Sequence, residues 1–299
     1  MNKPKIITIV GPTSSGKTSL SINIAKAFNG EVISADSRQV YRGMDLGTGK
    51  VTVEEMLGVP HHLIDIVQPN DIYTAAQFKN DATKAIDEIR SRGHLPIIAG
   101  GTFFYLDVLR GKMQAAPVEP NEELRTHLET LSSEQLFSLL QEKDPTRAET
   151  IDKDNRRRLI RSLEIIEELG AVPEVTVTES PYDMLVIGID ISKESLHQNI
   201  HTRLKQRFEA GMIDEVKQLH THGVSFERLD GFGLEYRYIA KFLKCEMNEE
   251  EMKAELETKI RQFAKRQMTW LKRDKEIEWF SPHNQADIFQ RINIFLYET

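Results

Sequence analysis

Short apolar runs rich in β-branched residues alternate along this chain with longer stretches whose apolar positions recur every three or four residues. The short runs are KIITIV at 5–10, EVISA at 31–35, HHLIDIV at 61–67, LPIIAG at 95–100, MLVIGID at 184–190 and IEWF at 277–280. Helical patterns separate most of them. Strands that alternate with helices predict a parallel sheet covered on both faces. The rhythm changes after Leu109. From Asn121 to Gly170 the pattern is helical, broken by Lys-Asp-Pro at 143–145, and strand character returns at Met184. Pro117, Pro120, Pro173 and Pro181 punctuate the edges of this stretch. The expected architecture is an α/β core built from 1–114 and 184–299, with an inserted all-helical domain at 115–183. From Ser192 the core turns mostly helical, with one long pattern from Asn248 to about Arg273 and a last strand and helix behind it.

The connection after the first run reads GPTSSGKT, from Gly11 to Thr18. Gly11, Gly16, Lys17 and Thr18 fill every fixed position of G-x-x-x-x-G-K-[ST], between a strand and a helix. The core is therefore expected to be P-loop NTPase-like. Glycines let the amides of Gly11, Pro12, Thr13, Ser14, Ser15 and Gly16 and their neighbours curl around phosphate oxygens, proline giving only its shape. The helix N-terminus adds partial positive charge. Lys17 supplies a full charge, and the Thr18 hydroxyl can ligate Mg²⁺. The loop announces a phosphate and says nothing of what carries it. A kinase, a nucleotide switch and an enzyme with a diphosphate leaving group all fit.

Two further connections should open on the same side of the sheet, because ligands in open parallel sheets lie beyond the carboxyl ends of the strands. Asp36 follows the second run, with Ser37, Arg38 and Gln39 behind it. Asp36 can be a general base, a magnesium holder or a helix N-cap. Thr102 follows Gly100-Gly101 and either caps the next helix or points its hydroxyl into the crevice. His61 and His62 are adjacent on a strand and so point to opposite faces, which weighs against a shared metal. Asp65, in the same run, has no assigned role.

Composition narrows the class. The 299 residues are 39% hydrophobic and 28% charged, with a net charge of −7, ordinary values for a globular protein. No apolar run approaches the roughly 20 residues that span a bilayer, and MNKPKIITIV is too short an apolar stretch for a signal peptide. A single Cys245 supports neither a disulfide framework nor a cysteine zinc site. A reducing cytoplasm and no membrane partner are expected. Against the acidic total, positive charge is concentrated in two places. RRRLIRSLEI sets Arg157 and Arg161 on one helix face with Arg158 beside them, opposite Leu159, Leu163 and Ile166. KIRQFAKRQMTWLKRDK carries Lys259, Arg261, Lys265, Arg266, Lys272, Arg273 and Lys275, with Ile260, Phe263, Ala264, Trp270 and Leu271 available for burial. Each cluster is either a solvated face or a contact for a phosphate backbone.

Together, GPTSSGKT, SADSRQVYRGMDLGTGK, HHLIDI, GGTFFY, DNRRRLIRSLEI and RQFAKRQMTWLK resemble, in order and spacing, the tRNA dimethylallyltransferases, the bacterial tRNA isopentenyltransferase family. The likeness covers nearly the whole chain. It implies transfer of a dimethylallyl group from dimethylallyl diphosphate to N6 of adenine 37, beside the anticodon in the tRNA anticodon stem-loop. It implies Mg²⁺ at Thr18, with Lys17 and the loop amides neutralising the departing diphosphate. Asp36 matches the carboxylate that contacts the reacting amine, and Thr102 a residue that hydrogen-bonds the reacting region. Ser37, Arg38 and Gln39 match a segment that touches tRNA, as do Arg125 and the run Arg157, Arg158, Leu159, Ile160, Arg161. A monomer is expected.

One segment departs from the pattern. Glu235 stands where the family often has Gly, and Phe232 stands where some members have an arginine near the diphosphate. Arg228 and Arg237 are the nearest replacements in sequence. The cysteine-based zinc finger of eukaryotic members is absent from these residues. Competing readings are prenyl transfer to free adenine nucleotides, a P-loop small-molecule kinase, and a tRNA-binding protein without catalysis.

Overall fold

A computed structural model describes residues 3–114, 116, 118–119, 121–173 and 176–298. The chain divides into two compact units, Met1–Arg110 with Glu179–Thr299, and Gly111–Thr178. These divisions fall a few residues before the 115 and 183 expected from the sequence. The larger unit opens with β1 (Lys5–Val10), α1 (Lys17–Ala27), β2 (Gly30–Ser34), α2 (Val53–Met56), β3 (His61–His62), α3 (Ala75–Ser91), β4 (Leu95–Gly100) and α4 (Phe103–Leu109). The smaller unit holds α5 (Glu122–Glu129), α6 (Ser133–Lys143), α7 (Pro145–Thr150) and α8 (Arg156–Leu169). The larger unit resumes with β5 (Asp183–Ile189), α9 (Lys193–Glu209), α10 (Met212–Thr221), α11 (Phe226–Phe232) and α12 (Leu234–Leu243). It closes with α13 (Glu249–Leu271), β6 (Ile277–Phe280) and α14 (Gln285–Tyr297).

The strands form one parallel sheet in the order β3-β2-β4-β1-β5-β6. Their runs are nearly continuous in Ile and Val because both faces are covered. Ile7, Ile9, Ile97 and Ile187 are fully buried, beneath α1 and α14 on one side. The register aligns Val10 with Gly100 and Ser34 with Ala99. The connections after β1, β2 and β4 therefore leave the sheet at one edge.

The Lys-Asp-Pro break in the smaller unit has a clear cause. Asp144 caps α7 by accepting from the Arg147 N–H, and Pro145 sits at the first turn, where its missing N–H costs nothing. The core of this unit is Leu128, Leu136, Leu140, Leu159 and Leu163 with their neighbours.

The third apolar run behaves differently from its sequence. Only His61–His62 pair with β2. Leu63 and Asp65 turn left-handed, at φ 61° and 55°, a conformation that costs an ordinary residue roughly 1–2 kcal/mol. The chain then pairs with 39–41 instead, through Asp65 N–H to Gln39 O at 3.2 Å and Ile66 N–H to Val40 O at 2.9 Å. Asp65 acts here as a strut. With Asp45 and the Tyr41 carbonyl it surrounds the buried Lys50 ammonium. The same stretch is tied to the C-terminal helices by Glu215. Its carboxylate accepts from the N–H groups of Asp45, Leu46 and Gly47 at 2.9, 2.6 and 3.0 Å and from Tyr236 OH at 2.9 Å.

The histidines have partners of another kind. Glu31, at the amino end of β2, accepts two bonds from Arg92 at 3.0 and 2.7 Å and contacts His62 and His94, each at 2.6 Å. Arg92 foremost, then the two histidines, holds the buried carboxyl down from the usual 4.5 to about 2, against the cost of desolvation. A depressed carboxyl stabilises the fold fully above its unfolded pKa and loses that contribution as pH falls through the folded one. The urea midpoint of wild type should therefore drop between pH 4.5 and about 2. Glu31→Gln should flatten that limb. Parallel curves for the two proteins would assign the acid sensitivity elsewhere.

Candidate active site

The phosphate loop folds as its glycines require. Gly16 lies at φ 92° and Ser14 at φ 60°, and a Cβ on Gly11 would meet Ser15 Oγ at 2.8 Å. Lys17 Nζ donates to the Pro12 carbonyl at 2.7 Å. Ser15 Oγ is buried and has no hydrogen-bond partner among the described residues, a group a phosphate oxygen would satisfy. Ser14, Ser15, Gly16, Lys17 and Thr18 line one wall of a cavity of about 710 Å³. Gly11, Pro12 and Thr13 lie outside its lining; the Thr13 N–H is bonded to Gln267 Oε1 at 2.9 Å.

The ends of β2 and β4 are laced together beside the loop. Ala35 N–H donates to Ala99 O at 2.9 Å, and Thr102 N–H to Ala35 O at 3.1 Å. Thr102 makes no side-chain cap on α4. Its Oγ1 instead accepts from Ser37 N–H at 3.0 Å. Asp36 Oδ1 accepts from Arg38 N–H at 2.8 Å and more weakly from Gln39 N–H at 3.4 Å, so it caps a turn while its other oxygen takes no part there. Gln39 is held by Ser34 Oγ at 3.1 Å and reaches Gly49 O at 3.4 Å. The Arg38 guanidinium lies 6.0 Å from the Phe232 ring.

The opposite cavity wall carries residues that the sequence reading passed over. Arg203 and Arg207, one turn apart on α9, line it together with Gln206 and Gly49. Arg203 donates to Gly49 O at 2.9 Å and Arg207 to Glu235 Oε1 at 3.3 Å. A Cβ on Gly49 would collide with Arg207 Nη2 at 1.6 Å and Arg203 Nη2 at 2.4 Å, so these guanidinium groups need a glycine there. The signal was an arginine pair at i, i+4, with Arg203 beside the buried Leu204. Burial lowers Arg203 to about 10, helped by the charge of Arg207 and resisted by Glu235, Glu55 and Asp36. Burial likewise lowers Lys17 to about 8, with Arg203 adding to it and Asp36 opposing. Glu235 moves the other way: burial raises its carboxyl, with Arg207 opposing. The cavity is thus lined by closely spaced cations in a desolvated wall, an arrangement that favours a polyanion.

The sequence replacements for the family's arginine are occupied elsewhere. Arg228 donates to Pro69 O at 2.9 Å and stacks 4.6 Å from the Phe232 ring centroid, and Arg237 pairs with Asp230 at 2.7 Å. Arg203 and Arg207, not these two, are the arginines on the cavity wall.

Residues 39–274 match the model of the IPP transferase family. The chain belongs to that family. It is 42% identical over 287 residues to a tRNA dimethylallyltransferase of Thermomicrobium roseum, covering 94% of this chain and 87% of that protein. It is 43% identical over 292 residues to one of Staphylococcus carnosus, with 93% and 92% covered. Among solved structures, the tRNA isopentenylpyrophosphate transferase of Bacillus halodurans superposes with a TM-score of 0.74 at 37% identity, over 98% of this chain and 97% of that one. A eukaryotic dimethylallyltransferase acting on tRNA superposes with a TM-score of 0.79 at 30% identity, over 97% and 78%.

In the helical unit, the arginines singled out by family resemblance divide into two kinds. Arg157 and Arg158 are exposed. Arg125 and Arg161 are partly exposed and share the buried Glu164 carboxylate, at 2.7 and 3.3 Å, and Arg161 also donates to Val118 O at 2.6 Å. Leu159 and Ile160 turn their side chains into the core; only by unpacking could those side chains meet RNA. On α13 the expected burial holds for Ile260, Ala264 and Leu271 but not for Phe263 and Trp270, which are 41% and 39% exposed. Arg266 and Arg273 lie over these two rings at 6.0 and 5.7 Å.

Lys17 gives this site a pH signature. Below about pH 8 its ammonium is charged and attracts an anion; above it, binding must first take up a proton. The affinity for an alkyl diphosphate should therefore fall as pH rises beyond 8, approaching about tenfold per pH unit. Calorimetric titrations from about pH 7 to 9.5 measure it. Lys17→Ala should bind weakly with a flat profile, and a flat wild-type profile would remove Lys17 from anion binding.

Proposed function

We propose that this protein transfers the dimethylallyl group of dimethylallyl diphosphate to N6 of adenine 37 in the tRNA anticodon stem-loop. The observation that carries the reading is an anion-gripping loop on the cavity, with a carboxylate and a hydroxyl outside that lining at the same end of the sheet, in a chain whose relatives are named for this reaction. The allylic C1–O bond to diphosphate breaks with its electron pair on oxygen. The N6 lone pair closes on C1, and an N6 proton passes to Asp36. Lys17, Arg203, Arg207 and the amides of Ser15, Gly16 and Lys17 hold the diphosphate and stabilise charge as it gathers on the leaving oxygen. Adenine N6 is a weak nucleophile, because its lone pair is delocalised into the ring. A base at Asp36 and a fixed approach from Thr102 address that weakness.

The donor set also suits Mg²⁺. Thr18 lines the cavity and offers a hard oxygen; Asp45, paired with Lys50 at 2.6 Å, and Glu55, which accepts from the Thr52 N–H at 2.9 Å, line it too. A magnesium ion keeps several waters and is typically completed by substrate phosphates. When bound it would neutralise diphosphate charge.

The acceptor must bring an unstacked base to the crevice, as anticodon-loop adenines can. Arg157 and Arg158 are proposed phosphate contacts, with Arg125, Arg161 and the exposed Phe263 and Trp270 as further tRNA contacts. The cytoplasm is the proposed place of work, and the described residues contain no helix long and apolar enough to cross a membrane.

Incubation with labelled dimethylallyl diphosphate and bulk tRNA should place label on N6 of one loop adenine. Label on free AMP alone, or ATP turnover without prenyl transfer, would overturn the reading. Asp36→Asn should slow the single-turnover step by roughly 10²–10⁴-fold with little change in diphosphate affinity. A rate within about threefold of wild type would take the base role from Asp36. Replacing Arg157 and Arg158 together by Ala should reduce the salt slope of tRNA binding by about 1–2. An unchanged slope would make them a solvated face.

A further inference from the structure

Gln267 stands out on α13. The buried positions of this helix run Met252, Leu256, Ile260, Ala264, Gln267 and Leu271. Five are apolar or small, as a core stripe should be. The sixth is a carboxamide, 7% exposed. A buried amide is costly unless its hydrogen bonds are made. Gln267 makes them to the two segments on which the crevice is built. Its Oε1 accepts from the Thr13 N–H of the phosphate loop at 2.9 Å, and its Nε2 lies 3.4 Å from the Gly101 carbonyl, directly before Thr102. The amide orientation follows from the partners. Thr13 presents a donor and Gly101 an acceptor, and a carboxamide offers both complements from one side chain. The fit is close, since a Cβ on Gly101 would come within 3.0 Å of Nε2.

We propose that Gln267 is a positioning residue for the transfer reaction: it fixes the phosphate loop against the Gly101–Thr102 segment. This inference rests on the proposed prenyl transfer. Diphosphate is held from one side of the bridge, while Thr102 and, through Ser37, the Asp36 turn stand on the other. The distance between the leaving group and the base is then set by a side chain that touches neither substrate. A misplacement on the order of 1 Å can cost about 10²-fold in rate.

The test uses the full chain and three substitutions. Gln267→Ala removes both bonds, and Gln267→Met removes them while keeping the volume, which guards against simple collapse. Gln267→Glu keeps an oxygen for Thr13 and forfeits the donor to Gly101. Single-turnover prenyl transfer at saturating dimethylallyl diphosphate and tRNA, below all melting temperatures, should fall about 10–100-fold in the Ala and Met variants and less in the Glu variant. The tRNA affinity should stay within about twofold, because the proposed phosphate contacts are untouched. Rates within about threefold of wild type for Ala and Met would overturn the proposal, as would losses that only track the folded fraction. A second readout needs no turnover: exchange of the Thr13 amide proton, followed by NMR, should be at least about tenfold faster in Gln267→Ala. Unchanged exchange would overturn the bridge even in an active enzyme. A wild-type protein that transfers no prenyl group would instead sink the proposed function, and Thr13 exchange would still decide the bridge.

Discussion

The site depends on how closely β4 approaches the chain that leaves β2. A Cβ on Gly100 would fall 2.2 Å from the Ala35 carbonyl oxygen, so backbone meets backbone there with no room for a side chain. That contact lets Ala35 bond to Ala99 and Thr102 bond back to Ala35. Asp36 and Thr102 therefore emerge side by side. The constraint is steric, and its neighbours are backbone atoms that cannot swing away. Everything chemical at this edge, from the Asp36 turn to the Thr102 hydroxyl, inherits its geometry from that approach.

Lys17, Arg203 and Arg207 are cations crowded around one partly dry cavity. Their mutual repulsion and desolvation weaken the folded state, and Asp36, Glu235 and Glu55 offset part of it. A bound polyanion relieves the remainder, so ligand binding and folding stability are coupled at this cavity. The departures from the family pattern fit the same account. Glu235 pairs with Arg207 at 3.3 Å and so answers one of these cations.

Much of this was legible in the sequence, for reasons that are physical. The strands showed because a parallel sheet needs short β-branched runs, and KIITIV and LPIIAG are such runs. The phosphate loop showed because its geometry needs glycine at fixed spacing. Asp144 and Pro145 announced the helix break by their own capping chemistry. Other features were silent. HHLIDIV is apolar enough for a strand, but apolarity does not reveal that Leu63 and Asp65 turn left-handed to support 39–41. Phe263 and Trp270 are large and apolar, yet both fall off the buried stripe of α13. Arg203 and Arg207 drew no notice in the sequence, because their place against Gly49 exists only in the fold. Gln267 was visible as a motif letter, but its work depends on partners 254 and 166 residues away.

Those separations bear on the life of the chain before it is finished. The phosphate loop is complete once Thr18 has been added. Glu215, which steadies 45–47, comes about 170 residues after that stretch, and Gln267 follows the loop by 254. During synthesis the grip is therefore made first and its braces last. Such distant pairings form slowly, because long loops must close before they gain contacts. A growing chain on the ribosome carries an unbraced loop amid a cell rich in nucleotides and diphosphates, and it gains an aligned reactive centre only when α13 has emerged and docked.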